Sequence, residues 1–273
     1  MRMKGNFAPS FHPPMRQEFE HYGRFIYPEI QKFKNVPGQY SVNSLVSSQS
    51  PFSLKQMMLF SMGLSLNEIH GQHDAAECIS ALLRITTEFS FLWHLQDKIL
   101  KCENCHLSET KTEPETVAIV PVSNFINRGK IDARGAILNF FSSSETVERH
   151  CTNCFTDRST KKTELPTPSK FIIVQLLRFT MAQNQRAQKI NNEVRPFSSL
   201  EIETSAHGSC TYEIVATVEH IGRSPTGGHY VAYIKHHNGW LKCNDKELSY
   251  PNDNDPIRNA YLVVLQTNEV DDE

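Results

Sequence analysis

The sequence predicts an α+β fold, and three observations predict it. Helical periodicity is confined to the region before Leu95 and to one later segment. Short β-rich runs dominate from Leu95 onward, each bounded by Gly, Pro, Asn or Asp. The helices come first and the strands follow, without the strict alternation that builds a parallel sheet. A chain of 273 residues, 39% hydrophobic, can bury one sizeable core.

The elements follow in order. Residues 1–50 are poorly patterned, broken by Pro9, Pro13, Pro14, Pro28, Pro37 and Gly38, with a loop at SVNSLVSSQS. Phe19, Tyr22, Phe25 and Ile26 recur at helical spacing within 15–34. Ser53 reads as the N-cap of a second helix through LKQMMLFSMGL, with Gly63 near its end. A third helix is expected from Asp74 through Phe91, with Ala75, Cys78, Ile79, Leu82, Leu83 and Thr86 as its apolar stripe. Strands are expected in TVAIVPV, FIIVQLLRF, YEIVATVEHI, HYVAYIKH, WLKCND and AYLVVLQ, and a helix over 131–141. The polar MAQNQRAQKINNEV reads as a loop, and the acidic tail TNEVDDE as frayed.

Charge and composition exclude several classes. A formal charge of −2 supplies no strong field, so neither nucleic acid nor an anionic membrane is an expected partner. No apolar run reaches the roughly eighteen residues that a membrane helix needs. MRMKGNFAPSFHPP lacks the apolar stretch of a secretory signal. Seven cysteines are too few for a disulfide scaffold in a chain of this length. An intracellular protein is expected, cytoplasmic or nuclear, of open oligomeric state.

Four of those cysteines stand in two matched turns, Cys102-Glu-Asn-Cys105 and Cys151-Thr-Asn-Cys154. Each C-x-x-C turn points two thiolates at one spot, and two turns supply the four ligands of a structural zinc site. The long interval means that Zn2+ would staple two distant hairpins. The alternative is two unrelated pairs of free or buried cysteines. A redox pair fits less well, because neither turn opens a helix after a strand. A closed four-thiolate site leaves no position for substrate, and His106 and His150 read as neighbours rather than ligands.

A second constellation is Gly227-Gly228-His229-Tyr230-Val231-Ala232-Tyr233 followed by Gly239 to Asp245. A hairpin here would bring His229 and Asn244 within hydrogen-bonding reach. An amide on one imidazole nitrogen fixes the tautomer and leaves the other nitrogen as a base toward a thiol. The two glycines would let a substrate backbone approach closely. A lone histidine is more often structural, and His207, His220, His236 and His237 get only that reading.

These motifs, in this order, resemble the ubiquitin-specific proteases, from about Phe52 to Leu265. Gln72-His73-Asp74-Ala75-Ala76-Glu77-Cys78 resembles the box that opens a thumb helix in that family. The cysteine pairs resemble its zinc-binding fingers. Leu165-Pro166 with Phe171 to Phe179, and Lys189-Ile190-Asn191-Asn192, resemble two of its palm segments. Tyr212 to Ala216 and the Gly-Gly-His run resemble its histidine box. The resemblance implies a papain-like cysteine peptidase fold: a thumb remnant at 51–94, fingers at 95–165 and a palm at 166–266, with 267–273 as tail. It implies a deubiquitinase, with ubiquitin or a ubiquitinated protein as partner. His229 would be the base, Asn244 its orienting partner and Asp245 a polar helper. Asp74 and Glu77, with Gly227, Gly228 and Tyr230, would take the ubiquitin tail, its arginines pairing with the carboxylates. For Asp74 the alternative is a charge that stabilises its helix N-terminus.

One part of the family pattern is not found. Its nucleophilic cysteine stands in an Asn-x-Cys box before the glutamine box, and no cysteine here precedes Cys78. Cys78 reads as a small buried hydrophobe, Cys243 as an apolar position beside Asn244, and Cys210 as preceding a strand. Ala8 in Gly5-Asn6-Phe7-Ala8, or Ser41 in Gly38 to Ser44, are weak matches to the vacated position. A serine hydroxyl there would be a poor substitute for a thiol. The leading expectation is a ubiquitin-binding pseudoenzyme. The alternatives are an active enzyme whose cysteine box lies on other sequence, or a degenerate copy that folds poorly.

Overall fold

A computed structural model describes residues 73–85, 91–181, 187–224, 227–245, 247–251 and 255–270. The helices expected within 15–34 and after Ser53, and the Ala8 and Ser41 matches, lie outside the described residues. The fold is α+β, with mostly antiparallel sheets.

Helix α1 covers Ala75–Ile85. Its start is set by Asp74, whose Oδ1 accepts from the backbone of Ala76 at 2.8 Å and Glu77 at 3.1 Å. Ala76 packs on Tyr261 and Leu262, and Leu83 on Ile173, which seats the helix on the large sheet. The expected extension to Phe91 crosses 86–90, outside the described residues, and Phe91 begins a short 3-10 turn. Cys78 is half-buried rather than buried, because it lies beside the stripe led by Ala76 and Leu83.

The large sheet has eight strands. Its path runs β16 (Glu247–Ser249), β15 (Gly239–Asn244), β14 (Gly227–His236), β13 (Gly208–Ser224), β17 (Ala260–Gln266), β8 (Phe171–Leu177) and β3 (Ala118–Pro121), with β12 (Ser199–Thr204) paired on β13. Only β3 and β8 pair in parallel within it. The expected apolar runs are its strands, and β8 and β17 take interior places because they are apolar on both faces. Cys210 lies inside β13, not before it, fully buried with its sulfur 3.2 Å from Thr267 Oγ1.

Helix α2 is Ala133–Ser142, close to the expected 131–141, capped by Asp132 through Gly135 N at 2.9 Å. It buries Ala133, Ala136, Ile137 and Phe141 in the main core with Val120, Leu176 and Leu265. Segment 181–194, read as a loop, holds two short strands among its described residues, β10 (Ala187–Lys189) and β11 (Glu193–Val194). β10 pairs with β9 (Phe179–Met181), and β11 with β5 (Lys130–Ile131), which also pairs with β4 (Ile126–Asn127).

The cysteine turns sit on a separate four-stranded sheet of order β2-β1-β7-β6, built from β1 (His94–Cys102), β2 (Ser108–Glu115), β6 (Ser144–Glu148) and β7 (Arg158–Glu164). β3 and α2, which fall within 95–165, join the large sheet and its core, because Ala118, Val120 and Ile137 need apolar cover that the polar sheet cannot give.

Candidate functional site

The hairpin β14–β15 turns at Gly239, whose φ of +116° suits glycine. Trp240 packs against the main core and fixes β15. Asn244 lies four residues on, so it leaves the same face as Trp240. His229 is the third residue of the paired strand, and its Nε2 lies 2.6 Å from Asn244 Oδ1. With the amide oxygen facing the ring, Nε2 carries the proton and Nδ1 keeps its lone pair. Asp245 leaves β15 with φ +51°, which brings its Oδ2 to 3.9 Å from the same Nε2. That carboxylate is 79% exposed, so its field on the ring is largely screened by water. The arrangement is an oriented, half-exposed imidazole with one basic nitrogen available.

Asp74, Glu77 and Tyr230 meet at the start of α1. Asp74 Oδ1 is occupied by the two helix amides, and Oδ2 accepts the hydroxyls of Tyr230 at 3.1 Å and Tyr261 at 2.5 Å. Gln175 Nε2 donates to Tyr261 Oη at 2.5 Å and extends this network into β8. The charge is thus spent on the helix cap and on two tyrosines, while the Glu77 side chain is exposed. Burial, then Asp74, holds the Tyr230 hydroxyl well above the ordinary tyrosine range, and the same two influences act on Tyr261. Both therefore remain donors at neutral pH.

Gly227 and Gly228 begin β14. A methyl group at Gly228 would lie 2.1 Å from His220 Nε2 and 2.7 Å from Ile221 O. The space expected for a substrate backbone at Gly228 is filled from one side by the chain's own His220. That histidine is 4% exposed, packed edge-on to Phe179 at 5.4 Å and against Tyr230 at 4.8 Å. Sequence spacing gave no sign of it, because residues 220 and 228 meet only through the hairpin.

The four cysteine sulfurs all lie within 4.8 Å of one another. Cys102 and Cys154 are 3.5 Å apart, and Cys105 and Cys151 3.6 Å. These spacings bracket the roughly 3.8 Å edge of a tetrahedron with Zn–S bonds of about 2.3 Å. Both turns are built alike. The residue after each second cysteine, His106 or Phe155, takes a positive φ of 60° or 58° and donates its N–H to the carbonyl of Cys102 or Cys151. Thr156 Oγ1 lies 3.4 Å from Cys102 Sγ and 3.2 Å from Cys154 Sγ, and it is the first cause lowering both thiols toward the thiolate. The residues present therefore fit Zn2+, with all four ligand positions filled by protein. His150 instead pairs with Asp157 at 2.9 Å.

Two basic residues escaped the sequence reading as site components. Arg178 is 2% exposed and donates to the carbonyls of Ile190, Ala260 and Asn192. Lys189 donates to those of His220 and Gly222. Both stood inside motifs noted for resemblance, but backbone acceptors leave no mark in a sequence.

A family model described as ubiquitin carboxyl-terminal hydrolase matches residues 24–264. Ubiquitin carboxyl-terminal hydrolase 48 of Danio rerio is 31% identical over 106 residues, 36% of this chain and 10% of that protein. Ubiquitin carboxyl-terminal hydrolase 4 of Arabidopsis thaliana is 29% identical over 119 residues, 41% of this chain and 33% of that protein. A SAGA DUB module bound to monoubiquitin has a chain with TM-score 0.65 and 17% identity, covering 97% of this chain and 68% of that one. Another, bound to ubiquitin aldehyde, gives TM-score 0.63 and 18% identity, covering 94% and 67%. At such identities these structures establish the fold. The matches span a third or less of those two curated relatives.

Proposed function

This chain belongs to the ubiquitin carboxyl-terminal hydrolase family, and from that premise we propose that the polypeptide binds ubiquitin through its C-terminal tail without hydrolysing it. The observation that carries this reading is an oriented histidine with no thiol of its own to activate. His229 and Asn244 supply the base and its orienting amide, as a thiol protease requires. None of the seven cysteines stands at the start of a described helix, where the family's nucleophile is expected. Four form the metal cluster. Cys210 is buried in β13. Cys243 neighbours Asn244 on β15, so its side chain leaves the opposite face. Cys78 sits one turn into α1, past its cap and near Tyr230, not at a helix start. The relatives of known structure were captured with ubiquitin or ubiquitin aldehyde, which supports the choice of ligand.

In this reading the tail runs past the start of α1 and the β14–β15 hairpin, with Glu77 as the carboxylate free to take a tail arginine. Asp74, Gly227, Gly228 and Tyr230 shape that passage, and Asp245 assists His229. Zn2+, where bound, supplies structure rather than chemistry, because four thiolates leave it no open position. Thiols that hold metal suit a reducing compartment, so we place the protein inside the cell; recovery of the tagged protein from the secretory pathway would overturn that placement.

The test is to incubate the purified chain with ubiquitin carrying a C-terminal electrophile, and separately with plain ubiquitin. The expected result is micromolar binding of plain ubiquitin without covalent capture. Capture by any residue of this chain overturns the pseudoenzyme reading, and absence of binding overturns ubiquitin recognition. The intact His229–Asn244 bond favours a second reading, in which a cysteine box from additional sequence completes the site. A longer product of the same gene that becomes capture-competent would establish it.

A further inference from the structure

We propose that Lys189 is the positioning residue of the His229 site, closing the strand edge that β17 leaves open and thereby fixing the bulge that aims β14. The inference deepens the reading above and rests on it for the meaning of His229.

β13 is paired along both edges for much of its length. One edge of this strand is paired with β17, and that pairing ends at Glu219↔Ala260. The other edge is paired with β14, regularly as far as Ile221↔His229. Beyond Glu219, no strand among the described residues pairs with β13 on the β17 side. His220 O and Gly222 O are two residues apart, so they face the same edge. Unmet carbonyls at a packed edge are costly. Lys189 Nζ meets both, at 2.6 Å and 2.7 Å.

Those two carbonyls flank Ile221, the residue that opposes His229. The register then shifts, and Ser224↔Gly227 closes the hairpin. Gly222 takes φ +151°, and a methyl group there would lie 2.8 Å from Gly227 O. The bulge and the start of β14 are therefore in close backbone contact, and a shift of one moves the other. Bulges re-aim side chains near functional sites in this way.

A second contact acts from the same side. Lys189 pairs with Phe179 across β9–β10, and the Phe179 ring packs edge-on to His220 at 5.4 Å. One small hairpin thus presses an apolar ring and an ammonium onto the segment opposite His229. Lys189 acts on His229 through these backbone carbonyls.

The test uses the free, zinc-loaded chain, so its failure is separable from any failure of ubiquitin binding. The 15N signature of the His229 ring reports its tautomer, and amide exchange at Gly222 and Gly228 reports the bulge. Lys189→Met is expected to average the His229 tautomers and to speed both amides by roughly tenfold or more. Lys189→Arg, which can still donate to two carbonyls, is expected to restore the parent signature. A parent-like ring signature and parent-like exchange in Lys189→Met overturn the proposal. If Lys189→Met does not fold, Lys189→Gln takes its place in the comparison with Lys189→Arg. A ring signature in Lys189→Gln equal to the parent's then overturns it.

Discussion

Tyr230 donates its hydroxyl to Asp74 across 156 residues of chain, and the 3.1 Å bond ties the cap of α1 to the strand that begins with the histidine site. Tyr261 makes the same bond from β17. Asp74 is therefore a joint between helix and sheet before it is anything toward a ligand. Replacing it with Ala removes a helix cap worth about 1 kcal/mol. It also removes a charged acceptor for two half-buried hydroxyls, where bonds to charge are worth about 1.5–3 kcal/mol. Asp74→Ala should lose about 4 kcal/mol or more in urea unfolding. Asp74→Asn keeps the capping oxygen but not the charged acceptor, so it should lose all of that but the cap's share of about 1 kcal/mol. Parent-like stability in Asp74→Asn would mean that the tyrosine bonds contribute nothing.

His94 gives the fold a histidine-specific weakness to acid. Burial pushes it down to about 4 from the ordinary histidine value of 6.5. The folded state holds the ring neutral, beside Gln96 at 2.8 Å and edge-on to Phe141 at 6.4 Å. The unfolded chain takes up a proton below about 6.5, so its free energy falls as pH drops while the folded state gains nothing. Stability is fully present above pH 6.5 and declines toward pH 4. At about 1.4 kcal/mol per pH unit, His94 accounts for roughly 2 kcal/mol between pH 6.5 and 5. Ordinary carboxylates contribute mainly below that window. His94→Gln should remove this part of the slope in parallel urea titrations. His220, also lowered by burial, remains in both proteins and cancels in the difference. An unchanged slope in His94→Gln would show that His94 is not the source.

Much of the large sheet is readable in the sequence because its strands carry their burial in their composition. FIIVQLL and AYLVVLQ are apolar on both faces and are interior strands of the sheet. The strands of the cysteine-bearing sheet carry no such mark. β2 reads SETKTEPE and is mostly exposed. It is held by its backbone ladder to β1 and by Lys98, which bonds Glu113 at 2.8 Å and Glu115 at 2.6 Å. β12 does alternate, with Leu200 and Ile202 buried between Glu201 and Glu203, but two apolar residues are too short a signal to stand out. The cysteine cluster and the His229–Asn244 pair could be expected from side-chain types and spacing. Lys189, Arg178 and the His220–Gly228 contact could not, since each depends on where the backbone runs.

Metal should be what holds the cysteine-bearing sheet to its observed register. Cys102 ends β1 and Cys151 opens the turn before β7, so a metal joining them closes both ends of the pairing Cys102↔Ser159. The purified chain is expected to carry about one zinc, and chelation should release it. Amides of β1, β2, β6 and β7 should then lose exchange protection, while β8, β13 and β17 keep theirs, because the main core contains no cysteine ligand. Cys154→Ser should give the same pattern without chelator. Full protection of β1 and β7 in metal-free protein would show that the ladder stands without the metal.

Gly228 and His220 should be energetically coupled, because one exists to make room for the other. A methyl group at 228 meets His220 Nε2 at 2.1 Å, far inside van der Waals contact, and the ring is held by Phe179 and Tyr230. Ile221 O, at 2.7 Å, blocks the methyl as well. Gly228→Ala should therefore cost about 1–3 kcal/mol by overpacking. His220→Ala opens the space and costs its own packing. If the ring is the main obstacle, the double variant should recover part of the Gly228→Ala loss, with a coupling of about 1 kcal/mol. Strict additivity would instead assign the glycine to the Ile221 carbonyl alone. The same pair separates a packing role for Gly228 from a ligand-binding one. The double variant should regain stability, and plain ubiquitin titrated against it reads the passage directly. Recovery of stability with binding still lost would mean that the glycine serves the tail as well as the histidine.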